Sequence, residues 1–258
     1  MRCCLKELMV IKHLAEALRF LTILPIPGKP ALSEQALVRS MVAFPLAGTL
    51  IGGLVAATWF GATWLWGTTT GSLCAILTWG AITSGLHLDG IADSADALFS
   101  WRSRERKLEI MKDSRIGTMG AIALISILLL KWLFVLGCGD LAWRALIVAP
   151  TLGRWVDIIG IFWFPPAAEG GLGRTFHDHT RRSDFWWATS CAGLVAAGLL
   201  WWWAGLIFAV VIVATIIIAR WMVRSLGGLT GDTYGALCEI AEMLVLAVVA
   251  ALVNHQVL

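Results

Sequence analysis

Charge is scarce in this sequence. Only 14% of its 258 residues are charged and 59% are hydrophobic. A soluble domain carries about 25% charged residues, so this composition excludes a water-clothed globule and indicates a polytopic membrane protein. The net charge of +3 is too small to draw a nucleic-acid partner. Tyrosine occurs once against 15 tryptophans, rings that suit the headgroup level of a bilayer. The six cysteines, at 3, 4, 74, 138, 191 and 238, form no CxxC pair, which argues against a disulfide framework and a zinc site. Cys74, Cys191 and Cys238 fall in apolar segments, where a free thiol behaves as a small hydrophobe. No cleavable signal peptide is evident, because Lys6, Glu7, Lys12, Glu16 and Arg19 interrupt any compact apolar core.

The long uncharged runs set the expected architecture: all-α, one membrane-embedded domain over residues 1–258, with about seven transmembrane helices. Residues 5–21 read as an amphipathic interfacial helix, with Leu14, Leu18 and Leu21 on one side and Pro25, Pro27 and Pro30 ending it. At about 20 residues per crossing, spans are expected at 41–66, 73–88, 117–136, 141–163 and 234–253. The uncharged stretch 185–219 is too long for one crossing and splits near Trp203–Gly205. Gly48, Gly52 and Gly53 permit close helix packing in the first span. Seventeen of the 20 Lys and Arg residues fall in the N-terminal segment or in alternate loops, and the loops 67–72, 137–140 and 203–205 have none. By the positive-inside rule the N-terminus and the basic loops are cytoplasmic.

One stretch stands out: His87-Leu88-Asp89-Gly90-Ile91-Ala92-Asp93-Ser94-Ala95-Asp96. Asp89, Asp93 and Asp96 follow an i, i+4, i+7 spacing that puts them on one helical face. Stacked like charges repel unless a cation joins them, and Mg²⁺ accepts a few carboxylates while keeping sites for phosphate oxygens. Acids at the edge of a span mark a functional site. The same loop carries Arg102, Arg104, Arg106 and Lys107, which the positive-inside rule explains, and then Lys112-Asp113-Ser114-Arg115-Ile116-Gly117. Lys112 and Arg115 suit phosphate as a point charge and a bidentate fork. Carboxylates for a metal beside cations for phosphate suit phosphoryl transfer.

A second cluster, Gly227-Gly228-Leu229-Thr230-Gly231-Asp232-Thr233-Tyr234-Gly235, precedes Glu239 and Glu242. Its loop opens a helix whose N-terminus favours anions. Asp232 is either an N-cap or, with Glu239 seven residues on, part of the polar site. Arg154 and Asp157 suggest a local i, i+3 ion pair. His177-Asp178-His179 reads as a surface loop or substrate lid, and His87 as an interfacial histidine, a carboxylate-orienting group or a nucleotide contact.

Together these elements resemble one family, cobalamin synthase (adenosylcobinamide-GDP ribazoletransferase). The matching stretches are Phe20-Leu21-Thr22-Ile23-Leu24-Pro25-Ile26-Pro27, Phe44-Pro45-Leu46 with Gly48, Gly85 through Asp93, Met111 through Gly117, and Thr230-Gly231-Asp232 with Tyr234-Gly235-Ala236. Ala97 stands where the family usually has glycine. The resemblance implies a multi-pass enzyme of the cell inner membrane with its site facing the cytoplasm. It transfers the cobinamide phosphate of adenosylcobinamide-GDP to α-ribazole or its 5′-phosphate and releases GMP, with Mg²⁺ required. It further implies Asp89, Asp93 and Asp232 or Glu239 as metal ligands, Asp96 as general base, and Lys112 and Arg115 at the departing phosphate. His87, Asp113, Thr230 and Gly231 are the expected substrate contacts. Lipid surrounds the protein, and a homo-oligomer or association with other cobalamin-assembly enzymes stays open. The competing readings are a CDP-alcohol phosphotransferase, whose Ala-Arg pair after Asp-Gly is missing here, and an ion-coupled transporter, which favours broken helices at mid-membrane.

Overall fold

A computed structural model describes residues 2–28, 34–168, 170 and 172–256; Lys29 and Pro30 lie outside them. All regular structure among the described residues is helical, as the composition requires, apart from one isolated bridge between Pro166 and Leu229. Helix α1 (Arg2–Leu21) is the amphipathic segment and buries Leu18 and Leu21 against the bundle. Helix α2 (Glu34–Ser40) and a 3₁₀ turn lead into α3 (Phe44–Trp66). Of the three glycines expected to permit close packing, Gly48 and Gly52 abut the backbone of residues 146–151, whereas Gly53 faces open space.

The second expected span and the acidic motif are not continuous. Helix α4 (Thr68–Ile82) begins directly after Gly67, so the turn is shorter than the composition of 67–72 suggested. It then breaks, and α5 (Leu86–Leu98) leaves at 88° to it. Ser84 and Gly85 take left-handed φ values of 52° and 66°, which no α-helix continues through. The carboxylates therefore ride on their own short helix. Next come α6 (Arg104–Ile110), α7 (Thr118–Gly137), α8 (Ala142–Trp163), α9 (Leu172–His179), α10 (Arg182–Leu200), α11 (Trp203–Leu226) and α12 (Gly231–Asn254).

Five stretches among the described residues are long and apolar enough to cross a membrane, and the bent pair α4–α5 makes a sixth. The span expected in the first half of 185–219, α10 in the structure, is not among them, since Arg182 and Asp184 together with its Ser, Thr, Trp and Gly residues leave it less apolar than the others. It nonetheless lies antiparallel along all of α8. Phe185 stacks on Phe162 at 5.1 Å, Trp155 Nε1 donates to Thr189 Oγ1 at 2.9 Å, and Arg144 Nη1 donates to the Leu199 carbonyl at 3.3 Å.

The bundle interior holds ions. Lys131 of α7, 3% exposed, donates to Glu239 at 2.5 Å and to Glu242. It also lies 4.4 Å above the Trp79 ring. Arg154 of α8 donates to the other oxygen of Glu242, and its Nη2 sits 3.3 Å from His87 Nδ1. The expected local pair of Arg154 with Asp157 gives way to these contacts between helices, and Asp157 faces His87 Nε2 at 3.6 Å. Buried charges need such partners to offset lost hydration.

Lys131→Met leaves two buried acids to Arg154 alone, and breaking a buried pair this way costs about 3–5 kcal/mol. A clear fall in the detergent unfolding midpoint is expected, with part of it regained in Lys131→Met/Glu239→Gln. An unchanged midpoint in the single variant would show that the network contributes nothing.

Candidate active site

Helices α5 and α12 cross where glycine meets glycine. A Cβ on Gly90 would lie 2.6 Å from the Asp232 carbonyl, and one on Gly235 would lie 3.2 Å from the His87 Cα. The missing side chains let the backbones touch, as small residues do at tight helix contacts. This crossing delivers Asp89 and Asp93 from α5 and Asp232 from the first turn of α12 to one cavity of about 370 Å³. Met111, Lys112, Asp113 and Ser114 complete its wall. The charges of Asp89, Asp232 and Asp96 all bear on Asp93. Among the described residues, no basic side chain pairs with Asp89, Asp93 or Asp232. Three unneutralised carboxylates offer the oxygen chemistry that a hard divalent cation such as Mg²⁺ takes, but they are not among the side chains whose ligand atoms already converge within 4.8 Å.

Asp89 also borders two further cavities. One, of about 270 Å³, is walled by Phe20, Phe44, Phe176, His87, Asp157 and Tyr234 and shares Asp232 with the first. The other, of about 650 Å³, opens beside the α4–α5 break along Ser84, Leu86, Leu124 and Leu128. Asp89 thus stands where three spaces meet, Asp232 where two do, and Asp93 in the acidic cavity alone.

Two expected site residues have other work. Asp96, the expected base, accepts from the Gly117 amide at 2.6 Å and the Gly120 amide at 2.8 Å. It caps the first turn of α7 from outside, taking donors the helix leaves unpaired. Both its oxygens are engaged. A Cβ on Gly117 would collide with it at 2.4 Å, which explains the glycine there. Glu239, expected as a ligand with Asp232, is held instead by Lys131 deeper in α12.

The remaining positions divide. Lys112 and Asp113 line the acidic cavity, whereas Arg115 is 87% exposed and forks onto Asp113 at 2.6 Å and 3.0 Å. The Arg115 side chain, then its backbone amide, hold the Asp113 carboxyl down at about 2. Thr230 is the N-cap of α12 and accepts from the Thr233 amide; Gly231 borders the aromatic cavity with open space above its Cα. His87 is buried, with both ring nitrogens facing Arg154 and Asp157. His87, Asp157 and Cys238 bring one ligand atom each within 4.8 Å, but the adjoining Arg154 guanidinium disfavours a cation there. The 177–179 stretch lies on α9, where His177 Nδ1 meets the Ile161 carbonyl at 2.7 Å and Arg174 pairs with Asp178. Through Gly173 and Phe176 that helix covers the aromatic cavity. Arg104 and Lys107 do more than satisfy a charge bias. Arg104 packs over Gly227 and donates to the Ala167 carbonyl at 3.4 Å, and Lys107 donates to Ser225 at 2.7 Å.

With Asp93 as the metal ligand that the resemblance implies, Asp93→Asn is expected to keep the wild-type unfolding midpoint and to lose activity by several orders of magnitude, because a metal's charge stabilisation is worth several kcal/mol. Asp96→Ala should instead lower stability by about 1 kcal/mol, as loss of a helix cap does. Equal midpoints for Asp96→Ala and wild type would return Asp96 to the chemistry.

A family model described as cobalamin-5-phosphate synthase matches residues 13–250. An adenosylcobinamide-GDP ribazoletransferase of Roseiflexus sp. (strain RS-1) is 54% identical over 234 residues, covering 91% of this chain and 87% of that protein. The protein of that name from Desulforamulus reducens is 39% identical over 88% of this chain and 91% of its own length. That from Citrobacter koseri is 38% identical over 89% and 95%. No solved structure matches the chain. With most of its length matched and its motif aspartates gathered at one helix crossing, the chain belongs to the cobalamin-5-phosphate synthase family.

Proposed function

We propose that the protein is an adenosylcobinamide-GDP ribazoletransferase acting at the inner membrane from its cytoplasmic face. The observation that carries this reading is the acidic cavity of Asp89, Asp93, Asp232 and Lys112, joined through Asp89 to two further cavities. A phosphoryl transfer between two large substrates needs such a place, where a donor, an acceptor and a leaving group converge on one charged centre. The names of the relatives point to the same donor and acceptor. Seven crossings, with α10 counted beside α8, put the basic loops on the side of the carboxylates.

In the proposed reaction a ribose hydroxyl of α-ribazole, or of its 5′-phosphate, attacks the phosphorus joined to the cobinamide aminopropanol. A new P–O bond forms, the P–O bond to GMP breaks, and GMP leaves with the electron pair. The hydroxyl proton passes to a carboxylate of the aspartate cluster, because Asp96 is committed to the α7 amides. Mg²⁺, held by Asp89, Asp93 and Asp232, would supply charge neutralisation at the diphosphate. Lys112 adds a cation from the cavity wall. Arg115 contributes when a phosphate takes its fork from Asp113, the exchange of one anion for another at the same guanidinium.

Purified protein in detergent, given adenosylcobinamide-GDP, α-ribazole 5′-phosphate and Mg²⁺, is expected to release GMP, to stop on chelation and to resume on adding Mg²⁺. Lys112→Ala should slow turnover roughly 100-fold, the usual cost of one transition-state charge contact, and Arg115→Lys should retain more activity than Arg115→Ala. Wild-type protein that releases no GMP would overturn the assignment.

For topology, single cysteines at Arg102→Cys and Thr69→Cys in a cysteine-free variant should label from the cytoplasmic and the outer side respectively. Labelling of both from one side would contradict the proposed crossing pattern.

A further inference from the structure

We propose that the aromatic cavity beside Asp89 is the guanine subsite, with Asp157 reading the N–H edge of the base and Tyr234 its acceptor side. This rests on the transferase reading above and adds which part of which substrate the cavity takes.

Size comes first. At about 270 Å³ the space is far too small for a corrin macrocycle but takes a bicyclic base. Phe20, Phe44 and Phe176 contribute ring faces or edges to its wall, and flat bases stack on such rings without regard to identity. Identity has to come from polar atoms, and two unpaired ones stand in the wall, covered until an entering base displaces what lies over them. Asp157 Oδ1 and the Tyr234 hydroxyl are buried and have no hydrogen-bond partner. Asp157 is 4% exposed and Tyr234 6%, and both residues border the cavity. Buried polar atoms are rarely left unpaired without a reason.

The surroundings fix which role each atom plays. Arg154 Nη2 is a donor, so His87 Nδ1 at 3.3 Å accepts. A neutral His87 then carries its proton on Nε2, facing Asp157 Oδ2 at 3.6 Å. Oδ1 is left as a free acceptor, and the tyrosine hydroxyl is free to donate. Guanine supplies N1–H and N2–H donors and an O6 acceptor on neighbouring positions, which satisfies both. The benzimidazole of α-ribazole has one nitrogen tied to ribose and an acceptor at the other, so it offers Asp157 no donor. Adenine offers its donor at position 6 and an acceptor at N1, the reverse order.

Placement agrees. The cavity shares Asp89 and Asp232 with the acidic cavity and is bordered by Gly231 at the start of α12. A base seated there extends its 5′-diphosphate onto the carboxylates and a 24-residue helix N-terminus, whose open amides favour phosphate. Helix α9, through Gly173 and Phe176, forms the outer wall, so the base enters beneath it.

The test uses the full-length protein in detergent and two readouts. The first is the thermal shift produced by GMP, IMP or AMP alone; the second is inhibition of transfer by the same nucleotides together with the KM for α-ribazole. The expected order is GMP, then IMP, then AMP, with each missing contact weakening binding about 10-fold. Tyr234→Phe and Phe176→Ala should each weaken GMP by about 10-fold and leave the KM for α-ribazole unchanged. Asp157→Asn should abolish the preference for GMP over AMP; if it fails to fold, the other two variants still decide. A raised KM for α-ribazole with unaltered GMP binding would give the cavity to the other substrate and overturn the proposal, as would equal binding of GMP and AMP. Should wild type show no transfer at all, the transferase reading fails, while the nucleotide order in the thermal shift still decides the subsite on its own.

Discussion

The ion network of Lys131, Glu239, Glu242 and Arg154 is the constraint on which the rest depends. It ties α7, α8 and α12 together in the interior, and His87 joins α5 to it through Arg154. Those four helices carry Asp89, Asp93, Asp157 and Asp232. Apolar packing alone gives weak register between helices in lipid, because the lipid tails are as apolar as the side chains. Ion pairs in that setting tolerate only matched partners, so they fix which turn of one helix faces which turn of the next.

Much of this was legible in the sequence, and the failures have physical causes. Asp89 and Asp93 stand out because repelling carboxylates at a membrane edge require an explanation in any fold, whereas Asp232 reads as either an N-cap or part of the polar site and lies beside them in the first turn of α12. Asp93 and Asp96 looked equivalent on a helical wheel, yet Asp96 turns to the α7 amides, and no periodicity reveals a cap supplied 21 residues upstream. Lys131 and the two glutamates were each visible as isolated charges. Their pairing spans 108 and 111 residues, a separation that local spacing cannot bridge. The bend after α4 was hidden for a different reason: Ser84 takes a left-handed conformation that a serine seldom adopts. The aromatic cavity draws on six helices, so no local spacing could reveal it, although His87 and Gly231 in its wall are among the expected substrate contacts.

The three cavities give the site a division of labour. The acidic one carries Lys112 and Asp113, the aromatic one is the smallest of the three, and the groove at the α4–α5 break is the largest and most open. Charge, flatness and bulk are each accommodated separately, and Asp89 is common to all three. An ion-coupled carrier has no need for an aromatic compartment beside its carboxylates.

The contact of Gly90 with the α12 backbone has a mechanical meaning. Where side chains separate two helices, the gap between functional groups varies as rotamers interconvert and as the surrounding bilayer thins or thickens. Here main chain rests on main chain, and the arms that carry Asp89 and Asp232 start from a closed stop, like the jaws of a caliper at zero. Their spacing is then set by peptide geometry, the stiffest dimension a protein has, and stays constant while the lipid around it changes.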